Sequence, residues 1–306
     1  MIRFSHTSAD GKTVLAAYRT ETPEPRALLQ IAHGMCEYFL RYEGFAEYLS
    51  QNGILVFGHD HLGHGYSVKS PDDLGFIAER DGDTLLIEDV HSLSLALKAE
   101  YPHLPLVLFG HSMGSFITRA AVAQYPNDYA ATIICGTGGP DTPTSAGKML
   151  ASILMAVLGT RYRSRLLRRI AFAGYNKKYT AGCNRNAWLT RDDTVVQRYN
   201  NDPLCDYTFT LRAYYDLFST VARVGTREWP RQLPKSLPYL LISGEMDPVG
   251  SWGKGVRRVA DRMREAGVND LTLTLYPDMR HEILNEIDHK TVWSDILQWL
   301  EQKLPS

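Results

Sequence analysis

Gly110-His111-Ser112-Met113-Gly114 sets a hydroxyl between two glycines. It directly follows the apolar run Leu106-Val107-Leu108-Phe109 and directly precedes Ser115-Phe116-Ile117-Thr118-Arg119-Ala120-Ala121-Val122, which reads as a helix. A Gly-x-Ser-x-Gly between a buried strand and a helix is a sharp turn that lifts the serine hydroxyl above a sheet. The turn holds the serine in a strained backbone conformation, and side chains two positions to either side would collide with the neighbouring strand and helix. A serine hydroxyl is a poor nucleophile at neutral pH. It needs a base, an acid to orient that base, and donors for the oxyanion that develops.

Groups of this kind gather outside the carboxyl ends of strands in an open parallel sheet. Asp247 lies in Gly244-Glu245-Met246-Asp247-Pro248, after the apolar run Tyr239 to Ser243, and His281 lies in Pro277-Asp278-Met279-Arg280-His281-Glu282, after Leu271 to Tyr276. The assigned roles are Ser112 as nucleophile, His281 as general base and then acid, and Asp247 as the group that fixes the imidazole tautomer. Asp278, three residues before His281, competes as the orienting acid or is a turn residue. His111 reads as a packing or hydrogen-bonding neighbour of the nucleophile, and His289 as a solvated side chain near the last helix. The oxyanion donors are expected to be the backbone amides of Met113, at the positive end of its helix, and of Met35, in the turn His33-Gly34-Met35-Cys36-Glu37. Cys36, beside that turn, is an expected target for bulky thiol reagents.

His59-Asp60-His61-Leu62-Gly63-His64-Gly65-Tyr66-Ser67 has ligand types for a metal. Its two glycines and its place after a strand favour a tight turn in which Asp60 and Ser67 cap backbone groups. The proposed chemistry requires neither metal nor cofactor.

The elements that must position these residues are legible as rhythm. Strands are predicted at Val14 to Arg19, Leu28 to His33, Ile54 to His59, Leu106 to Phe109, Thr132 to Cys135, Tyr239 to Ser243 and Leu271 to Tyr276. Helices are predicted at Tyr42 to Asn52, Asp83 to Tyr101, Lys254 to Ala266 and about Lys290 to Lys303, with Gly53 and Gly267 as stops. This β-α alternation implies an α/β fold with a mostly parallel sheet covered on both faces. The rhythm breaks after Gly136, so a core of residues 1–136 and 236–306 interrupted by a helical insertion at 137–235 is the simplest organisation.

At 306 residues and 44% hydrophobic the chain can bury one large core, and its formal charge of -1 gives no global attraction to nucleic acid. Cys36, Cys135, Cys183 and Cys205 are scattered, which argues against a disulfide framework, and the start Met1 to His6 lacks the apolar core of a secretory signal. A soluble cytoplasmic protein is the expectation. Neutrality hides one local excess. From Thr142 to Arg191 there is no acid, while Lys148, Arg161, Arg163, Arg165, Arg168, Arg169, Lys177, Lys178, Arg185 and Arg191 accompany the apolar stretch Met149 to Leu158. Such a segment suits a lid that docks on an anionic lipid surface or admits acyl chains; a core helix with a solvated basic face is the alternative.

Taken together, His33-Gly34-Met35 with Arg41-Tyr42, Asp60 to Gly65, Gly110 to Gly114, Asp247-Pro248 and Arg280 to Glu286 resemble the monoacylglycerol lipase and bacterial lysophospholipase group of α/β-hydrolases, of the serine aminopeptidase S33 type. The resemblance spans nearly the whole chain. It implies an α/β-hydrolase fold with an inserted helical cap over an acyl pocket, and no cofactor. It also implies a triad of Ser112, Asp247 and His281, with Met35 and Met113 as amide donors. Gly34, His111, Cys36 and Tyr38 are the expected substrate-binding residues. Many relatives carry Gly-Glu-His where this chain has Cys36-Glu37-Tyr38. The expected activity is hydrolysis of monoacylglycerols, lysophospholipids or related single-chain esters. A short-chain carboxylesterase, an acyl-CoA thioesterase that grips phosphates through the basic insertion, and a non-catalytic binding protein are the alternatives. Peptidases recognising an amine want acids in the cap, and the first half of this insertion has none.

Overall fold

The computed structural model describes residues 1–140, 144–179 and 185–304; Cys183 lies outside them. Among the described residues eight strands form one sheet: β1 (Ile2–Thr7), β2 (Val14–Arg19), β3 (Ala27–Ala32), β4 (Ile54–His59), β5 (Leu106–His111), β6 (Ala131–Cys135), β7 (Tyr239–Gly244) and β8 (Leu271–Tyr276). Their order is β1-β2-β4-β3-β5-β6-β7-β8. The first two run antiparallel to their neighbours, and every pairing from β4 to β8 is parallel.

β3, β4, β5, β6 and β7 are buried along their whole length, as near-continuous aliphatic runs in a parallel sheet require. Successive side chains alternate between two cores. Leu28, Leu106 and Leu108 face the core that receives α2 (Gly82–Glu100), α3 (Met113–Gln124) and α9 (Lys254–Glu265). Leu29, Ile31, Val107 and Phe109 face the core closed by α1 (Glu43–Gln51) and α10 (His289–Lys303). The predicted strands and helices are thus in place, with ends within a few residues. β1 had no counterpart in the sequence reading. It is an edge strand in which Ile2 is exposed and only Phe4 and His6 are half-buried, so its apolar signal is weak.

Between β6 and β7 the described residues hold helices and no strand: α4 (Thr144–Leu158), α5 (Arg165–Ala171), α6 (Asp193–Asn201), α7 (Leu211–Gly225) and the single turn α8 (Trp229–Gln232). α4 lies on α7, where Gly147 faces the Phe218 ring so closely that a side chain would have to displace it. Both margins of the insertion are fastened to α3 by Arg119. Its fully buried guanidinium donates to the Thr137 hydroxyl (3.1 Å) and to the carbonyls of Gly138 (3.3 Å) and Val224 (2.7 Å). Trp229 covers the guanidinium at 4.2 Å and donates its indole N–H to the Arg119 carbonyl.

Candidate active site

The parallel pairing puts the carboxyl ends of β3, β5, β6, β7 and β8 along one edge, with Ala32 level with Gly110, His111 with Cys135, and Gly244 with Tyr276. The loops after β3, β5, β7 and β8 carry Met35, Ser112, Asp247 and His281, so the topology gathers residues far apart in sequence. Ser112 occupies φ 54°, ψ −118°, a conformation that side chains rarely adopt. Its glycines make the turn feasible, since a Cβ on Gly110 would be driven into the Gly114 carbonyl, and one on Gly114 into the Ala32 carbonyl. The Ser112 amide donates to the Cys135 carbonyl (3.0 Å) and Met113 opens α3.

His281 is 2% exposed and Asp247 fully buried, and the imidazole Nδ1 lies 3.0 Å from Asp247 Oδ2. A carboxylate accepts only, so Nδ1 carries the proton and Nε2 is left as the basic nitrogen. The Asp247 carboxylate is held by the Ser243 hydroxyl (3.1 Å) and the Val249 amide (2.8 Å). Asp278 is exposed, at a left-handed turn (φ 60°), and does not partner the imidazole. The His281 ring packs against Gly136, where a Cβ would stand 3.2 Å from Cε1. On another side Trp188, from the insertion, lies tilted against the ring at 4.9 Å and accepts the His281 amide through its carbonyl (3.3 Å).

Gly34 touches the Ser112 turn: a Cβ there would stand 3.1 Å from Ser112 Cβ. Its amide donates to Glu37 Oε1 (2.5 Å). Cys36 takes a left-handed backbone (φ 56°), a conformation that ordinarily favours glycine. Its thiol is buried, donates to the Tyr207 carbonyl (3.1 Å), and is pushed well up by burial. Burial both shields the sulfur and disfavours the reactive thiolate, which weighs against the expected sensitivity to bulky thiol reagents. Tyr38 donates to Asp202 (2.8 Å) in the insertion. His289 is half-buried beside Trp293, with Nδ1 on the Glu286 carbonyl.

Sequence reasoning missed a buried charge network below these loops. Arg41 forms a fork on Glu282 (2.7 and 2.6 Å) and reaches Glu37 (2.6 Å). Tyr42 donates to Glu37 Oε1 (2.7 Å) and lies 3.0 Å from His111 Nδ1. Burial raises both carboxyls, but Glu37 is held well below the usual range by its bond to His111 and the Arg41 charge, and Glu282 is held down by Arg41. Burial alone would lower His111, yet its bond to Glu37 raises it. The only signal was the placement of Arg41-Tyr42 and Glu282 beside the chemistry-bearing turns.

His59 to Ser67 forms a structural turn. The Asp60 carboxylate accepts the amides of Phe39 and Tyr66 (2.8 Å each), and Ser67 donates to the Asp60 carbonyl (2.5 Å) while accepting the Ala16 amide (3.0 Å). Among the described residues no group of three or more His, Cys, Asp or Glu could hold a metal ion.

A strained serine above a parallel sheet, with a buried His–Asp pair on neighbouring loops, marks the α/β-hydrolase class. The model of the family described as serine aminopeptidase, S33, matches residues 23–288, and the chain belongs to that family. It is 28% identical to a human monoglyceride lipase, over 97% of this chain and 89% of that one. It is also 28% identical to a monoacylglycerol lipase of Mycolicibacterium smegmatis, over 99% and 98% respectively. A thermostable carboxyl esterase of Bacillus coagulans, solved with glycerol, superposes with a TM-score of 0.93 at 27% identity, over 99% of this chain and 98% of that one.

Proposed function

We propose that the chain is a serine hydrolase of the monoacylglycerol lipase type that cleaves single-chain acyl esters through an acyl-enzyme on Ser112. His281 Nε2 takes the proton as Ser112 Oγ bonds to the ester carbonyl carbon. The amides of Met35 and Met113 stabilise the oxyanion, and the protonated imidazole gives its proton to the departing alcohol. Water then repeats the sequence on the acyl-enzyme and releases the acid. Asp247 keeps the Nδ1 proton in place throughout. The observation that carries this reading is the buried 3.0 Å contact between His281 and Asp247 at the same sheet edge as the strained Ser112. The names of the full-length relatives support the ester class.

Residues 137–235 then serve as a cap over the acyl site, with Tyr38 and the bare Gly34 bordering the entrance. The outer face of the cap suits a lipid surface. Met149, Ile153, Val157 and Leu158 of α4 and Leu166 and Ile170 of α5 are exposed, Val157 by 78%, and the exposed Arg165 and Arg169 flank them. Contact of this kind is peripheral, since no helix of the described residues is long and apolar enough to cross a membrane. Purified enzyme assayed on monoacylglycerols, lysophospholipids, acyl-CoAs and short aryl esters tests the reading. Highest kcat/KM is predicted on a long-chain monoacylglycerol; a preference for acetyl esters or acyl-CoAs would overturn it.

A further inference from the structure

His111 stands next to Ser112 in sequence, and both its ring nitrogens are engaged by protein groups. Its Nε2 lies 3.2 Å from the backbone carbonyl of His281, an atom that only accepts, so Nε2 carries a proton. Its Nδ1 faces the Tyr42 oxygen at 3.0 Å and Glu37 Oε1 at 3.4 Å. The Tyr42 proton is already committed to Glu37, so both groups in front of Nδ1 accept, and Nδ1 must carry a proton as well. The ring is 4% exposed and lies 4.7 Å from the His281 ring, and the carboxylates that act on it come from two loops, Glu37 after β3 and Glu282 after β8, both paired with Arg41. An imidazolium here balances the set, with two carboxylates against a guanidinium and an imidazolium.

Glu37 is the hub of the loop after β3, holding the Gly34 amide, the Tyr42 hydroxyl and Arg41. Two routes lead from it to the loop after β8: through His111 to the carbonyl of residue 281, and through Arg41 to the carboxylate of residue 282. The second fixes a side chain. The first fixes the main chain at the residue that bears the general base.

We propose that His111 is a positioning residue, a doubly protonated imidazole that ties the backbone of His281 to Glu37 and so holds the general base in register with the amide of Met35. The inference rests on the hydrolase reading above for the roles of His281 and Met35. His111 acts through His281, against whose ring it packs at 4.7 Å, and takes no proton from Ser112 in this scheme. Its loss lowers kcat and leaves KM nearly unchanged, because displacing a base by a fraction of an ångström is felt in the transition state more than in binding.

Two measurements test this. In the nitrogen NMR spectrum of histidine-labelled wild-type enzyme at about pH 7, where an ordinary imidazole is mostly neutral, both ring nitrogens of His111 should be protonated, assigned by their disappearance in His111→Gln. A neutral ring would overturn the proposal, and this result needs no variant beyond the one used for assignment. In kinetics, His111→Leu should lower kcat by about 100-fold with KM within about twofold, and His111→Gln, whose amide can still donate to the carbonyl, should recover about tenfold of that loss. Wild-type kcat in His111→Leu, or a loss confined to KM, would refute it. The spectrum also separates this proposal from the reading beneath it. If Ser112 is not the nucleophile both ring protons remain, whereas failure of the proposal removes one of them in an enzyme that still turns over.

Discussion

Asp247 is a buried carboxylate whose oxygens meet one imidazole, one hydroxyl and one amide, all donors. An amide in its place would offer His281 either an N–H, which forces the wrong tautomer, or an oxygen without charge. Asp247→Asn should therefore lower kcat on the preferred ester by about four orders of magnitude, with the far-UV circular dichroism and the unfolding midpoint close to wild type; near-normal turnover would remove Asp247 from the mechanism. Ser112, Asp247 and His281 could be placed at one sheet edge from sequence because each lies in the loop after an apolar run that had to be a strand. Glu37 and Glu282 could not be read that way. A glutamate in a loop looks solvated until the fold brings Arg41 and His111 against it, and those partnerships join segments far apart in the chain. The burial of Cys36 was hidden for the same reason, since its contact with Tyr207 depends on the insertion folding back.

At the scale of elements, the sheet was legible because a parallel strand covered on both faces has to be apolar throughout, as Leu106–Phe109 and Tyr239–Ser243 are. β1 escaped because it pairs on one side only and buries little. The helices of the insertion lacked an alternating partner to delimit them. Its composition, basic without acids over fifty positions, read as a single electrostatic face, and the structure divides it. Arg161 pairs with Asp73 and Arg191 with Glu286, which fastens the insertion to acids outside it, while Arg168 and Arg185 pair with Asp206 within the insertion. Arg165 and Arg169 stand on the outer face beside the apolar side chains of α4 and α5. Neither alternative raised from the sequence is complete by itself. α4 buries Ala151 and packs Leu150, Leu154 and Met155 inward, while Met149, Ile153 and Val157 remain outside.

At the scale of the whole molecule, four buried histidines join the loops after β3 and β4 into one block. His33 packs on His61 at 4.1 Å and on His64 at 5.2 Å, and His59 on His61 at 5.0 Å. Burial lowers all four, His33 and His59 to about 3, His64 to about 4 and His61 well below its usual value. Below pH 6.5 the unfolded chain binds protons at these positions that the native chain does not, so their contribution to stability falls as pH falls. Asp60, Asp89 and Asp216, raised by burial to about 6, 7 and 6, act in the opposite sense over the same range. The difference between wild type and His59→Gln isolates one group. In urea unfolding from pH 6.5 down to pH 4, wild type should lose stability relative to the variant by about 1.4 kcal/mol per pH unit, and a pH-independent difference would show that His59 is not held neutral. The same assembly of loops makes the site, because Ser112, His281 and the turn at Gly34 converge only when β3, β5, β7 and β8 lie in one sheet. The direct test of that convergence is stoichiometric labelling with a fluorophosphonate, followed by mass analysis of the peptides. One equivalent per chain, attached to Ser112 and abolishing ester hydrolysis in proportion, is the predicted result; modification elsewhere, or full hydrolysis by Ser112→Ala, would contradict the account.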